Sequence, residues 1–265
     1  MRDRTMTTLL PGSAGDGVYA RKQLQSGAAL VSWSHGRRFQ VALELAASAR
    51  GRRILDYGCG DGSFLAMLVS SADAPLEATG AEIARDLVAD CRARLAARGI
   101  RFLDLAELDA LQAGAFDVIF CMEVLEHVPG VDEVLHRLDR LLASGGQLVV
   151  SVPVETGVPM LIKQAARRFA GWRGIGDYPG TESYRPSEWL PTLFAGSRPH
   201  LVRRVLVTPD GSAFHDHKGF NWMALRALLA RQFVLRRVLS SPFTWLPPHL
   251  GTQAWFLLQK RGAPR

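Results

Sequence analysis

Ile54-Leu55-Asp56-Tyr57-Gly58-Cys59-Gly60-Asp61-Gly62 is the stretch from which the fold of this chain can be read. An apolar pair runs into an acid, then into three glycines separated by single residues, and the apolar run Phe64 to Val69 follows. A short buried strand, a turn that needs backbone freedom and a helix explain that order. Glycines at 58, 60 and 62 let the main chain approach a ligand closely and adopt positive φ, and the first turn of the next helix offers N–H groups to an anion. The carboxylate or phosphate of a ligand is expected there.

Working outward, the alternation repeats. A second strand ends at Gly80-Ala81-Glu82, a helix covers Ala84 to Ala97, and further strands are expected at Ile100 to Leu103, Phe116 to Cys121 and Gln147 to Val152. Strands separated by helix-length connections require a parallel sheet covered on both faces, a doubly wound α/β arrangement. Upstream, Val18 to Ala47 has helical periodicity, and the polar insert Ser32 to Arg38 is expected to divide it into two helices of a cap spanning residues 1–49. The first dozen residues look untethered. Beyond Pro153 the rhythm stops, and residues 155–212 are expected to form an insertion or lid, with an amphipathic helix at Val158 to Trp172 and a strand within His200 to Val207. A helix at Trp222 to Arg231 and strands at Phe233 to Leu239 and Gln253 to Gln259 complete the chain.

The 265 residues suit one large α/β domain with insertions. A formal net charge of +7 fits an anionic partner, but it comes from arginines scattered through helices rather than from a basic patch, so the bland reading stands beside the functional one. Cys59, Cys91 and Cys121 are far apart, without metal spacing, as expected of buried thiols in a reducing compartment. The N-terminus carries no secretory pattern and no apolar run is long enough to span a bilayer, so a cytoplasmic location is expected.

The glycine loop departs from the dinucleotide fingerprint, since Ser63 stands where a third glycine is needed. Its D-x-G-x-G-x-G pattern resembles instead the first motif of the class I methyltransferases. The resemblance implies a Rossmann-like seven-stranded sheet, mostly parallel with an antiparallel last strand, a methyltransferase domain over residues 50–265, and S-adenosylmethionine as cofactor. Glu82 closes the second strand 22 residues after Gly60, where a carboxylate accepts hydrogen bonds from ribose hydroxyls. Asp56, Gly58, Cys59, Gly60, Glu82, Asp104 and Met122 are the expected cofactor-binding residues. For the adenine contact, Leu105 is an alternative with Asp104 on the surface. Asp117 reads as structural.

After the fourth strand comes Cys121-Met122-Glu123-Val124-Leu125-Glu126-His127-Val128-Pro129. If the chain turns helical at Glu123, then Glu123, Glu126 and His127 share one face, and their mutual repulsion asks for a cation. The plain alternative is that Leu-Glu-His only begins a helix. This E-x-x-E-H string, with a later histidine near Phe220, resembles the small-RNA 3′-terminal 2′-O-methyltransferases and the ubiquinone-biosynthesis O-methyltransferases. The resemblance implies that Glu123, Glu126, His127 and either His217 or His215 hold Mg²⁺ or another divalent cation, with His217 the narrow preference. A bound cation lowers the pKa of an attacking hydroxyl, and a neighbouring His127, with Glu123, serves as the catalytic pair. Without metal, His127 remains the candidate base.

The insertion is expected to decide the acceptor. Its amphipathic stretch, with Lys163, Arg167 and Arg168, reads as a substrate lid or as a membrane-interface helix. Trp172, Arg173, Tyr178, Tyr184, Arg185 and Trp189 suit stacking on a sugar, ring or base and equally suit ordinary packing. Three functions follow: an O-methyltransferase for a small molecule, glycan or lipid-linked acceptor; an RNA 2′-O-methyltransferase, against which no separate RNA-binding module is recognised; and a non-catalytic binding subunit.

Overall fold

The computed structural model describes residues 16–24, 29–47, 50–172, 184–208 and 211–262. Arg173 and Tyr178 lie outside the described residues, as do the first dozen residues expected to be untethered.

Strand β1 (Arg53–Tyr57) leads through the glycine loop into helix α2 (Ser63–Val69), and upstream stands the long helix α1 (Ala29–Ala46). There follow β2 (Glu77–Glu82), α3 (Arg85–Arg94), β3 (Ile100–Asp104), β4 (Phe116–Met122), α4 (Val131–Leu141) and β5 (Leu142–Pro153). The insertion holds α5 (Gly157–Trp172), α6 (Pro186–Leu193) and the strands β6 (Val205–Val207) and β7 (Ala213–His215). The chain ends with α7 (Trp222–Gln232), β8 (Phe233–Ser241) and β9 (Gln253–Lys260).

The main sheet has seven strands in the order β3-β2-β1-β4-β5-β9-β8, mostly parallel with antiparallel last strands. Strand order reverses at β1, so the glycine loop opens at the switch point where open α/β sheets bind ligands. Register places Asp56 opposite Gly80 and Phe120, and Glu82 opposite Asp104. Ile54, Leu55, Ile119 and Phe120 are wholly buried, as strands covered on both faces demand.

The chain forms two compact units, one of residues 1–122, 136–150 and 258–265 and one of residues 123–135 and 151–257. In the first, Phe64 and Phe120 pack with ring centroids 4.9 Å apart, and Asp117 accepts from the main-chain N–H and the guanidinium of Arg53, joining β4 to β1. That structural role of Asp117 matches its reading from sequence. In the second, Trp222 packs on Phe256, and β6 and β7 pair antiparallel with Val205 opposite His215.

Three expectations are corrected. The insert Ser32–Arg38 does not divide the N-terminal helices: α1 runs through it, its polar side chains finding local partners, as where Ser32 Oγ donates to the carbonyl of Leu24. The chain does not turn helical at Glu123, because that residue adopts φ 57°, and helix begins only at Val131. Positive φ is incompatible with a right-handed turn. The insertion also contains the helix α6, and of the strand expected at His200 to Val207 only Val205–Val207 is extended, as β6, which pairs with the short strand β7.

Candidate active site

In the first unit, Gly58, Gly60 and Gly62 all take positive φ, at 77°, 54° and 73°. A β-carbon on Gly60 would meet no atom within 4 Å, so the loop faces open space there, whereas one on Gly62 would come 2.8 Å from Leu95. The first glycines serve close approach and the last serves packing. The loop's own N–H groups are largely engaged: Gly58 and Cys59 donate to the carbonyl of Ala81, Gly62 to that of Cys59, and Ser63 to the Asp61 carboxylate. An anionic ligand group therefore finds fewer free main-chain donors than the sequence suggests.

Gly60 N–H donates to Glu82 Oε2 at 2.9 Å, while Glu82 Oε1 accepts from Ile83 and Ala84. The acid that ends β2 is thus clamped against the loop with acceptor capacity remaining, since an ionised carboxylate offers about four lone-pair sites. Asp56, beneath the loop, is 2% exposed, and burial, reinforced by Glu82, pushes its carboxyl up to about 8. The Cys59 side chain is buried: a β-carbon on Gly80 would come 2.8 Å from its sulfur, which itself lies 3.9 Å from the carbonyl of Gly60, and burial raises its thiol. Asp104 caps the turn that follows β3, accepting from Ala106 N–H, and pairs with Arg85 at 3.0 Å. Met122 is half-buried at the end of β4.

Sequence reasoning missed the N-terminal strap on this loop. Ala20 N–H donates to Asp61 Oδ2 at 2.9 Å, and a β-carbon on Gly17 would collide with that carboxylate. One residue before Ala20, the Tyr19 hydroxyl receives Arg38 and lies 2.6 Å from His35 Nδ1, with the Arg38 guanidinium 5.2 Å from the Tyr19 ring centroid. Arg38 is 9% exposed, so a cation stands under cover one residue from the strap's anchor. Asp61 was legible as the cap of the turn two residues on; the Tyr19–Arg38 contact, between residues 19 apart, left no local signal.

In the second unit, the residues after β4 form a turn. Glu126 is fully buried, and one ligand atom each of Glu126, His127 and His217 lie within 4.8 Å of one another. Glu123 is not in that group: its carboxylate accepts from Ser151 Oγ at 3.0 Å and its N–H donates to the Ser151 carbonyl. His215 is also outside it, its Nδ1 meeting the carbonyl of Arg204 at 2.8 Å. The structure therefore assembles three of the four expected ligands.

The surroundings set the roles of the imidazoles. His127 Nδ1 lies 2.9 Å from the carbonyl of His215, which can only accept, so Nδ1 is the donor there and Nε2 is the ring nitrogen left for the cluster. Nε2 is 3.8 Å from Glu126 Oε1. The ring of His217 meets that of His127 edge-on at 4.7 Å, its Nδ1 is buried without a partner, and burial, then His127, hold it below the usual imidazole range. An orphaned imidazole nitrogen, a second ring nitrogen and a buried carboxylate fit a divalent cation. Arg203 joins the two loops, one Nη donating to the carbonyls of Glu126 and Asp216 at 2.5 Å each.

The insertion meets this loop. Tyr184 is buried and its hydroxyl accepts from Gly219 N–H, and Lys218 pairs with Glu188 at 2.9 Å. Lys163 turns inward from α5 onto Glu155 and the carbonyls of Val154 and Thr252, so it does not belong to a basic solvent face, while Val158 and Ile162 are exposed.

A family profile described as a methyltransferase domain matches residues 33–194. The chain is 35% identical over 118 residues to a ubiquinone biosynthesis O-methyltransferase of Bordetella avium, covering 43% of this chain and 48% of that protein. It is 38% identical over 107 residues to one of Xanthomonas axonopodis pv. citri, covering 38% and 43% respectively. The matched stretch thus spans about half the length of these curated relatives or less. Among solved structures, a protein of Pyrococcus horikoshii superposes with TM-score 0.59 at 12% identity over 94% of this chain and 99% of that one. A magnesium protoporphyrin IX methyltransferase of Synechocystis, solved with bound SAH, superposes with TM-score 0.53 at 16% identity over 91% and 92%. At those identities the likeness is one of fold.

Proposed function

The chain belongs to the methyltransferase-domain family, and from that premise we propose that it is an S-adenosylmethionine-dependent O-methyltransferase. Its acceptor is a hydroxyl of a small molecule, glycan or lipid-linked intermediate, and a divalent cation assists. The observation that carries the reading is the bond from Gly60 N–H to Glu82, which joins an open-faced glycine loop to a carboxylate able to take a ribose hydroxyl. The methionine tail of the cofactor lies along residues 58–62. Because the loop's N–H groups are spent within the protein, Arg38 is the cation that meets the tail's carboxylate. Asp104 meets the nucleoside's other end, a reading supported by its register opposite Glu82.

On the acceptor side, Glu126, His127 and His217 hold the cation. When bound, it lowers the pKa of a coordinated hydroxyl. Were the cation held through His127 Nε2, that nitrogen could not also take a proton, and the acidified hydroxyl would lose its proton to solvent as the oxygen attacks the methyl carbon. In the metal-free site Nε2 would be the base, Nδ1 being committed to the His215 carbonyl. Glu123, tied to Ser151, shapes the turn after β4. Transfer then requires alignment of oxygen, methyl carbon and sulfur, which positioning supplies.

The test is calorimetric titration of S-adenosylhomocysteine into the wild type and Glu82→Ala. Wild-type binding, weakened at least about tenfold in the variant, is expected for the loss of a charge-assisted pair. A wild type with no affinity would overturn the reading in favour of a non-catalytic subunit.

A further inference from the structure

Away from the residues assigned above, the second unit contains an apolar cavity of about 410 Å³. One wall is α7, which presents Leu225 and Leu228, and the other is the segment 197–203 with Leu201, while Phe220 lines the same cavity. The remaining charged lining is of one sign: Arg198, Arg203 and Arg231, with no carboxylate among the lining residues. Among the described residues, Arg198 and Arg231 are exposed and enter no ion pair. Arg203 spends its Nη on the Glu126 and Asp216 carbonyls and keeps a buried Nε–H with no acceptor. Such a donor is penalised until an acceptor reaches it.

We propose that this cavity is a binding site for a medium-chain aliphatic carboxylate, its chain against Leu201, Phe220, Leu225 and Leu228 and its head on the arginines. The volume lies in the range of about 300–1,000 Å³ usual for small-molecule sites and suits a single chain rather than a diacyl lipid. The lining excludes a cationic amphiphile by charge and gives a polar sugar nothing to bond along the apolar walls. Since Arg203 also holds the loops that carry His127 and His217, a head group on its Nε is held beside those loops. The inference uses no residue of the glycine loop and stands apart from the methyl-transfer reading.

Calorimetry on the full chain with decanoate, kept below its micelle concentration, tests it, with acetate and decyltrimethylammonium as probes of chain and head. Decanoate should bind and the other two should not. Arg198→Glu and Arg231→Glu, both at exposed positions, should each weaken decanoate at least about tenfold by replacing attraction with repulsion. Leu228→Asp should abolish binding, with circular dichroism confirming the fold of each variant. Glu82→Ala should bind decanoate as the wild type does, which separates this result from failure of the cofactor reading. Absence of decanoate binding, equal binding of decyltrimethylammonium, or indifference to both charge reversals would overturn the proposal.

Discussion

Asp56 is the residue where burial and charge most visibly conflict. Its carboxyl, pushed up to about 8 by burial and by Glu82, holds a proton in the folded protein that the unfolded chain releases near pH 4. Between those values the folded state binds more protons, so this group makes stability fall as pH rises, by at most about 1.4 kcal/mol per pH unit. Asn has the shape of the protonated acid and cannot ionise. Asp56→Asn should therefore lose this component of the slope and exceed the wild type in urea midpoint at pH 8 by more than at pH 5. Superimposable profiles for the two proteins would show that Asp56 is ionised in the fold. The motif position of this acid was legible in sequence; its protonation was not, because it depends on the covering of β1 by residues far along the chain.

Among elements, the N-terminal strap and the turn after β4 show what local pattern conceals. Asp61 holds the strap through Ala20 and caps its own turn through Ser63. Asp61→Ala should cost about 1–2 kcal/mol. Hydrogen exchange is expected to quicken at Ala20 and across residues 16–24 while β1 and β4 keep their protection; uniform loss of protection would contradict a local role. The turn after β4 misleads in the opposite direction. Glu123, Glu126 and His127 have the spacing of a helical face, yet positive φ at Glu123, held by Ser151 28 residues later, keeps the turn open. Glu126 and His127 still converge with His217, by loop geometry rather than helical geometry. No residue near Glu123 announces this, because the partner that enforces it lies on β5.

At the scale of the whole molecule, the alternation of strand and helix through residue 153 was legible because buried parallel strands and covering helices have distinct periods. The insertion was legible in its amphipathic helix, seen as α5, but not in the rest, since α6 carries Pro191 within it and β6 and β7 are too short to display a period. The compact units divide the proposed chemistry: Glu82 belongs to one and His217 to the other. Glu82→Ala should accordingly lower S-adenosylhomocysteine affinity while leaving Mn²⁺ binding, read by electron paramagnetic resonance, as in the wild type. His217→Ala should weaken Mn²⁺ at least about tenfold and leave S-adenosylhomocysteine affinity unchanged. Loss of both affinities in either variant would count against that division. The three cysteines have a practical consequence. Cys59, Cys91 and Cys121 are all buried, and desolvation drives the Cys59 thiol well above its ordinary value and the Cys91 thiol up to about 12. Since only a thiolate alkylates readily, iodoacetamide should pass over the native molecule, and the mass added during a timed pulse becomes a clock for how often its interior opens to solvent.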